Sequence, residues 1–202
     1  IPTVTQNVRI DVTELMAFRK KINNDLGVKY SLNDYVLKAT AKALKNNKHI
    51  LVSLDGDQII KRAHVNIGMA VALEDGLIVP VIKDADKMSL GEISETARDL
   101  AERARTNKLS MDEYKGSTFS ISNLGMFGVE TFNPIINQPD AGILGVCAVQ
   151  DELVMDDAGA ITKRQFMRIS FTFDHRLIDG ATAAKFELAI RDLMEHPMQI
   201  LL

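Results

Sequence analysis

The chain has 202 residues and a formal net charge of -3, with 46% hydrophobic and 25% charged residues. This length and composition predict a single domain with one sizeable core. The 24 lysines and arginines are interspersed with 27 acidic residues, and this mixture predicts no nucleic-acid partner. No apolar run approaches the roughly 20 residues that cross a bilayer, so we expect no membrane contact.

The chain contains one cysteine, Cys147, and begins at Ile1 without methionine or a signal-like segment. A lone cysteine excludes an internal disulfide and favours a reducing compartment. We therefore expect a cytoplasmic protein, with the mitochondrial matrix as the alternative. The start at Ile1 favours a fragment of a longer polypeptide.

The first quarter of the chain predicts a strand followed by two helices. The strand covers Thr3–Asp11, and apolar residues at helical spacing predict the first helix over Val12–Leu26. Ser31, with Asp34 three residues later, resembles a capping box. It opens a second amphipathic helix that is expected to end near Asn46.

Two hairpins and a third helix are predicted next. Asp55-Gly56 separates two short apolar runs between Leu51 and Ile60, which indicates a hairpin. A second hairpin is predicted from the runs Val65–Leu73 and Leu77–Ile82, and we expect both hairpins to be buried on both faces. The segment 89–92 is a second capping box, which opens a helix that reaches about Thr106.

The second half of the chain predicts three strands and a final helix. The strands cover Ser117–Ser122, Gly142–Gln150 and Gln165–Phe173, and the helix covers Ala181–Glu195. Asn123–Ala141 is rich in glycine, proline and asparagine, which is typical of a long functional loop. Strands and helices alternate unevenly, so we expect an α/β domain with a mixed sheet in two layers.

The most reactive-looking segment lies between the last predicted strand and the last helix. It reads Asp174-His175-Arg176, then Asp179-Gly180, and so places four ionisable groups at a strand end. Loops at strand ends are where rigid scaffolds place reactive groups. His175 is therefore a candidate general base. The alternative is a polar turn on which His175 is a surface or capping residue.

Four segments resemble one known family. DHRLIDG, from Asp174 to Gly180, resembles the His-x-x-x-Asp-Gly signature of the dihydrolipoamide acyltransferases and of chloramphenicol acetyltransferase. Gly116–Val146 is similar to the second long signature of the dihydrolipoamide acyltransferases. Asn66–Asp86 and Val8–Ile22 are similar to their hairpin and their early strand and helix. The resemblance covers nearly the whole chain and implies a two-layer, mixed-sheet, chloramphenicol acetyltransferase-like fold.

The resemblance also implies a reaction. Family members pass acyl groups between protein-bound dihydrolipoamide and coenzyme A, as cores of 2-oxo acid dehydrogenase complexes. His175 would be the general base, Ser122 would donate a hydrogen bond to the oxyanion, and Asp179 would hold the loop without relaying protons. Ser122–Gly128 (SNLGMFG) is most similar to acetyl-transferring members, so the expected acyl group is acetyl. The residues that contact coenzyme A or lipoamide are not predicted.

The family pattern implies an assembly as well. Family members form trimers with the active site between two subunits, so Ser122 and His175 would come from different chains. The apolar segment Pro197–Leu202 either anchors trimers into a larger shell or packs on its own domain. The partners would be lipoyl domains and the other subunits of the complex. No counterpart of the family's first helical segment precedes Ile1, so residues 1–202 are expected to be an amino-terminally truncated catalytic domain, without lipoyl and subunit-binding domains.

Several alternatives stay open or are disfavoured. A structural core protein without turnover and a chloramphenicol acetyltransferase-like enzyme remain, although relatives of the latter more often have histidine where this chain has Asp174. The four histidines show no HExxH pattern, so no catalytic metal is expected. Cys147 lies in an apolar run, which favours a buried thiol over a nucleophile. Gly125 and Gly128 lack the following Lys-Ser or Lys-Thr of a phosphate-binding loop.

Overall fold

A seven-stranded mixed sheet forms the centre of the structure, a computed structural model that describes residues 1–202. Two further two-stranded sheets and five helices complete it. The strands are β1 (Thr3–Asp11), β2 (Val52–Asp55), β3 (Gln58–Lys61), β4 (Ile67–Met69), β5 (Val71–Leu73), β6 (Gly76–Ile78), β7 (Val81–Ile82), β8 (Phe119–Asn123), β9 (Gly142–Val146), β10 (Gln150–Met155) and β11 (Ile161–Asp174). The helices are α1 (Thr13–Leu26), α2 (Leu32–Asn46), α3 (Leu90–Arg105), α4 (Gly180–Glu195) and α5 (Met198–Leu201).

The strand order of the central sheet is β1-β11-β9-β8-β4-β7, with β10 paired to β11. The β4–β8 and β8–β9 pairs are parallel, whereas β11 runs antiparallel to β1, β9 and β10. The carboxyl end of β11 therefore lies at the opposite edge of the sheet from the carboxyl ends of β8 and β9. This arrangement decides where the candidate functional residues lie.

The predicted helix starts are confirmed in atomic detail. The Ser31 hydroxyl accepts from the backbone of Asp34, and the Asp34 carboxylate accepts from the backbone of Ser31. The same reciprocal capping box opens α3 at Ser89 and Glu92. These caps satisfy backbone donors that the first turn of a helix leaves free.

An aromatic cluster joins the sheet to the helices. Phe171 lies 5.2 Å, ring centre to ring centre, from both Phe173 on β11 and Phe186 on α4. The other face of the same strands is polar, with the hydroxyl of Thr172 2.7 Å from that of Thr5. Part of the long loop covers this polar face, since its Phe132 ring packs directly on Gly145. A Cβ at Gly145 would lie only 2.8 Å from that ring. The predicted two-layer α/β architecture is confirmed.

The expected burial of the two hairpins is confirmed at their bases, where Val52, Ile67 and Ile82 are buried, and is wrong at their tips. Ile59 on β3 is 57% exposed and Leu77 on β6 is 63% exposed. Each hairpin tip pairs only within its own two-stranded sheet and protrudes from the core. The second hairpin is also divided, because Pro80 has no backbone N–H to continue the ladder between the β5–β6 and β4–β7 pairs.

The hairpin formed by β10 and β11 was not predicted. The predicted strand Gly142–Gln150 ends at Val146, and a separate strand follows that pairs with an extension of β11 back to Ile161. The turn between them has a sequence signal, because the Asp156 carboxylate accepts from two backbone N–H groups and Gly159 has a φ of 82°. Aspartate and glycine in this pattern are typical turn residues.

The final segment, Pro197–Leu202, packs partly on its own domain and is partly exposed. Ile200 on α5 is fully buried against its own domain, whereas Met198, Leu201 and Leu202 are exposed. Helices in this structure fall short of the length and apolar character needed to cross a membrane.

Candidate functional site

The turn that carries His175 is held by the residues on either side of it. The backbone N–H of Asp174 donates to Ala141, and that of His175 donates to Pro2. The carbonyl of Asp174 accepts from the backbones of Leu177 and Ile178, which closes the turn. The His175 imidazole itself is exposed and lies 5.9 Å, centre to centre, from the ring of Phe173. A fixed backbone thus presents a free imidazole to solvent.

Asp174 and Arg176 pair with each other. The Arg176 guanidinium donates to both carboxylate oxygens of Asp174, with Nη2 2.6 Å from Oδ2. The Asp174 side chain is nearly fully buried, whereas that of Arg176 is about half exposed. The hydrogen bonds from Arg176 lower the pKa of Asp174. The pair stabilises the turn and engages both carboxylate oxygens of Asp174.

Asp179 caps the helix that follows the turn. Its carboxylate accepts from the Thr182 backbone N–H at 2.9 Å and from the Thr182 hydroxyl at 2.8 Å. The first of these bonds is the largest influence that lowers the pKa of Asp179. Carboxylates at this position stabilise helix starts through hydrogen bonds and the helix dipole. The hydrogen bonds of Asp179 therefore go to α4 and not to His175.

Ser122 lines a cleft at the opposite edge of the sheet. It lies at the end of β8, where a cleft of about 780 Å³ opens between the sheet, the start of α2 and one side of α3. We call this the serine cleft. Fifteen of its 25 lining residues are hydrophobic, including Met69, Leu124 and Val146. Such a lining suits a largely apolar ligand whose orientation is set by a few polar groups.

Three basic side chains line the same cleft, and the sequence did not single them out. They are Lys29, before α2, and Arg98 and Arg105 on α3. The two arginines are seven residues apart, which places them on one face of the helix beside the small residues Ala97 and Ala101. That seven-residue spacing was the sequence signal from which a basic face on this helix could have been predicted. No metal-binding arrangement accompanies them in the lining.

Two further side chains shape the cleft wall. The amide of Asn123 donates to the Asn33 side chain of α2 at 2.8 Å and accepts from the Gly125 backbone at 2.9 Å. Cys147 is buried as predicted, and burial raises the pKa of its thiol. The thiol lies 3.8 Å from the Ser170 hydroxyl. These contacts hold the backbone around Ser122 and bury the Cys147 thiol in the wall.

Ser122 and His175 lie far apart within one chain. Ser122 pairs with Gly145 on β9, whereas Phe173, two residues before His175, pairs with Gly142. Along the strand direction, Ser122 and His175 are therefore five residues apart: three from Gly145 to Gly142 and two from Phe173 to His175. Five residues of extended strand span about 16 Å, and two strand spacings across the sheet add to this distance. We call the end of the sheet at which β8 ends the serine edge, and the opposite end, at which β11 ends, the histidine edge. Both are ends along the strand direction and not edge strands. No single copy of the chain can bring the hydroxyl and the imidazole onto one reacting carbonyl.

A family model for the 2-oxoacid dehydrogenases acyltransferase catalytic domain matches residues 1–202. The acetyltransferase component of the pyruvate dehydrogenase complex of Zymomonas mobilis is 42% identical over 100% of this chain and 46% of its own length. The succinyltransferase component of the 2-oxoglutarate dehydrogenase complex of Rickettsia bellii is 41% identical over 96% of this chain and 49% of its own length. The chain thus spans about half the length of these relatives.

Solved structures agree with the sequence matches. An Azotobacter vinelandii dihydrolipoamide acetyltransferase and the cubic core of a pyruvate dehydrogenase multienzyme complex are each 40% identical, with TM-scores of 0.92. Each match covers 100% of this chain and 85% of the solved chain. A chloramphenicol acetyltransferase matches at 12% identity with a TM-score of 0.58, over 96% of this chain and 88% of its own. That match confirms the predicted fold.

The Azotobacter enzyme was studied for the role of a serine, a histidine and an asparagine in its catalytic mechanism. In that enzyme the histidine follows the serine by 52 positions and the asparagine follows the histidine by four. Here His175 follows Ser122 by 53 positions, and Asp179 follows His175 by four. The spacing agrees to within one residue, and the last position differs in residue type.

Proposed function

Because the chain belongs to the 2-oxoacid dehydrogenase acyltransferase family, we propose that it transfers an acyl group between protein-bound dihydrolipoamide and coenzyme A. The observation that carries the proposal is the pair of built features at the two sheet edges. One edge presents an exposed imidazole on a fixed turn, and the other presents a hydroxyl in a mostly apolar cleft. Their spacing matches the serine and histidine studied in the Azotobacter enzyme.

His175 acts as the general base in this proposal. The imidazole accepts the proton of the attacking thiol, so that the sulfur becomes nucleophilic as it approaches the thioester carbonyl. A new carbon–sulfur bond forms, and the carbonyl oxygen takes the negative charge. When the original carbon–sulfur bond breaks, the imidazolium returns its proton to the departing sulfur. One histidine thus serves transfer in both directions.

Ser122 stabilises the tetrahedral intermediate. Its hydroxyl donates a hydrogen bond to the oxyanion, which is stronger in a cleft that excludes much of the water. The contacts of Asn123 with Asn33 and Gly125 hold the adjacent backbone, so the hydroxyl is already oriented when charge develops. Asp179 supports the reaction indirectly, because it fixes the start of α4 directly after the histidine turn.

We propose that two copies of the chain complete each site. The distance between the serine and histidine edges requires that the histidine edge of one copy face the serine cleft of the next. A closed ring of three copies satisfies this requirement with three equivalent sites. The exposed Met198, Leu201 and Leu202 then offer an apolar contact that can join rings into a larger shell. Lipoyl domains and the other subunits of the dehydrogenase complex are the further proposed partners.

The proposed acyl group is acetyl. The support is the segment Ser122–Gly128, together with acetyltransferase components of pyruvate dehydrogenase complexes among the similar proteins. The residues 1–202 are then a catalytic domain, and the lipoyl group is carried elsewhere. We keep the cytoplasm as the proposed location, which suits a chain whose one thiol is buried and reduced.

The direct test is acetyl transfer from acetyl-coenzyme A to free dihydrolipoamide by the assembled protein. The wild type is expected to be active, and His175→Ala is expected to lose about 100- to 10,000-fold in kcat because the base is missing. His49→Ala is the matched control, since His49 is also exposed but lies on a short 3-10 helix and lines neither the serine cleft nor the histidine turn. An inactive assembled wild type, or full activity in His175→Ala, would contradict the proposal.

A further inference from the structure

A second cleft lies at the histidine edge of the sheet, outside the site described above. It has a volume of about 360 Å³ and opens where β3 ends and where β4 and β8 begin. We call it the polar cleft. Only one of its nine lining residues is hydrophobic, in contrast to the serine cleft. This lining disfavours an acyl chain and favours a small polar ligand.

The charges at the polar cleft are unbalanced in favour of cations. Lys61 and Arg62 line it, and no acidic residue does. Arg62 is oriented by a hydrogen bond from its Nε to the Ser53 hydroxyl, 3.0 Å away, and its two terminal nitrogens have no partner in the chain. Lys61 is exposed and likewise unpaired. An oriented guanidinium with a free fork is the form in which arginine binds planar or tetrahedral anions.

The two nearby carboxylates are already engaged. Asp84 accepts from Lys87 at 3.1 Å and pairs with His64 Nδ1 at 2.7 Å. Asp140 is buried and accepts from the hydroxyls of Ser117 and Ser120. Neither carboxylate forms an ion pair with Lys61 or Arg62, although the charge of Arg62 offsets part of the rise that burial causes in the pKa of Asp140. The terminal nitrogens of Arg62 and the ammonium of Lys61 thus keep their hydrogen-bond donors available to a ligand.

The frame of the polar cleft is preorganised. The Asn66 amide donates to the carbonyl of Gly116 at 2.9 Å and accepts from the backbone of Asp84 at 2.9 Å. The Thr118 hydroxyl bridges the same segments, because it donates to the carbonyl of His64 and accepts from the backbone of Asn66. The backbone N–H groups of Gly116 and Ser117 donate to no group in the chain.

From these observations we propose that the polar cleft binds a phosphate group, held by the fork of Arg62 and the charge of Lys61. A phosphate offers three acceptor oxygens, which matches a guanidinium fork and an ammonium group at one opening. The phosphate can come from the nucleotide part of coenzyme A or from free phosphate. The site does not depend on the acyl transfer proposed above, because phosphate binding is measured without turnover.

The test is a calorimetric titration of the assembled protein with inorganic phosphate at constant ionic strength, which holds general screening fixed. Saturable binding is expected in the wild type, and about tenfold weaker binding in Arg62→Gln. Lys61→Gln is expected to weaken binding less, and Arg62→Lys should fall between because it keeps the charge but loses the fork. Lys20→Gln, which removes an exposed charge on α1, should bind as the wild type does.

Competition identifies the source of the phosphate. If coenzyme A displaces phosphate and its 3'-dephospho form displaces it at least about tenfold less well, the ligand is the 3'-phosphate of coenzyme A. If neither form competes, the cleft takes free phosphate, and the site still stands. No saturable binding in the wild type would overturn the proposal. Equal affinity in the wild type, Arg62→Gln and Lys61→Gln would overturn it too, provided that circular dichroism shows the variants folded.

Discussion

The serine edge and the histidine edge of the central sheet are built in opposite ways. At the serine edge, Ser122 lies in a cleft of about 780 Å³ whose walls come from the sheet and two helices. At the histidine edge, His175 lies on a fixed turn but its imidazole is exposed, and the cleft nearby is small and polar. One edge has a binding space without a base, and the other has a base without an apolar binding space.

The difference follows from strand direction. Because β8 and β11 run antiparallel to each other through β9, loops after their carboxyl ends emerge on opposite sides of the sheet. In the proposed assembly a second copy bridges this separation, because symmetry would place its histidine edge against the serine edge of the first.

After that of His175→Ala, the largest effect is expected at the serine edge. Ser122→Ala should lower kcat by roughly 100- to 1,000-fold, or about 2.7–4 kcal/mol, because the oxyanion loses a preorganised donor. The KM values should change little, since the donor acts mainly in the transition state. Ser89→Ala is the control, as it removes a hydroxyl from an exposed helix cap and should leave kcat unchanged. A loss confined to KM would mean that Ser122 contacts substrate and not the oxyanion.

A pH-dependent effect on stability is expected from Glu187, on the helix that follows the histidine turn. Glu187 is fully buried, and neither carboxylate oxygen has a hydrogen-bond partner. Burial raises its pKa from 4.5 to about 7. The folded chain therefore holds this proton more tightly than the unfolded chain, so stability falls as the pH rises from about 4.5 to 7, by about 3 kcal/mol.

Glu187→Gln should remove this dependence, because glutamine does not ionise. The urea midpoints of the variant and the wild type should differ more at pH 8 than at pH 5, with the variant the more stable at pH 8. Asp140, whose pKa burial raises to about 6, adds a change of the same sign in both proteins and cancels in the difference. A difference that is the same at both pH values would contradict the assignment.

The smallest effect is expected from Asp179. Asp179→Ala should lower the free energy of unfolding by about 1 kcal/mol, because α4 loses its cap. Asp179→Asn should restore most of that stability, since asparagine also caps helices well, and should keep near wild-type kcat. The Azotobacter enzyme has asparagine at the corresponding spacing. If Asp179→Asn lost activity as His175→Ala does, Asp179 would act on the imidazole and not only on the helix.

Much of the fold could be predicted from local signals. The capping boxes at Ser31 and Ser89 depend on residues three positions apart, so the sequence alone reveals them. The burial of the hairpins could not be predicted in this way. Ile59 and Leu77 have the character of core residues, but whether anything covers them depends on elements distant in sequence.

The candidate site divides along the same line. His175 and Asp179 share one short segment, and Ser122 belongs to a long motif, so resemblance identified all three. Lys29, Arg98 and Arg105 were not predicted as site residues, because they meet at one cleft only after α2, α3 and the sheet have packed. The burial of Glu187 was not predicted for a similar reason. A glutamate within a helix predicts exposure, and only the packing of α4 buries it.

The central claim is that each site needs the serine edge of one copy and the histidine edge of another. It is tested most directly by co-expressing Ser122→Ala and His175→Ala chains, each nearly inactive alone, and assaying the mixed assemblies for acetyl transfer. A shared site predicts recovery to about a quarter of the wild-type rate, since a random pair has an intact serine on one chain and an intact histidine on the next with probability one half times one half. Activity no greater than that of the separate variants would contradict the account.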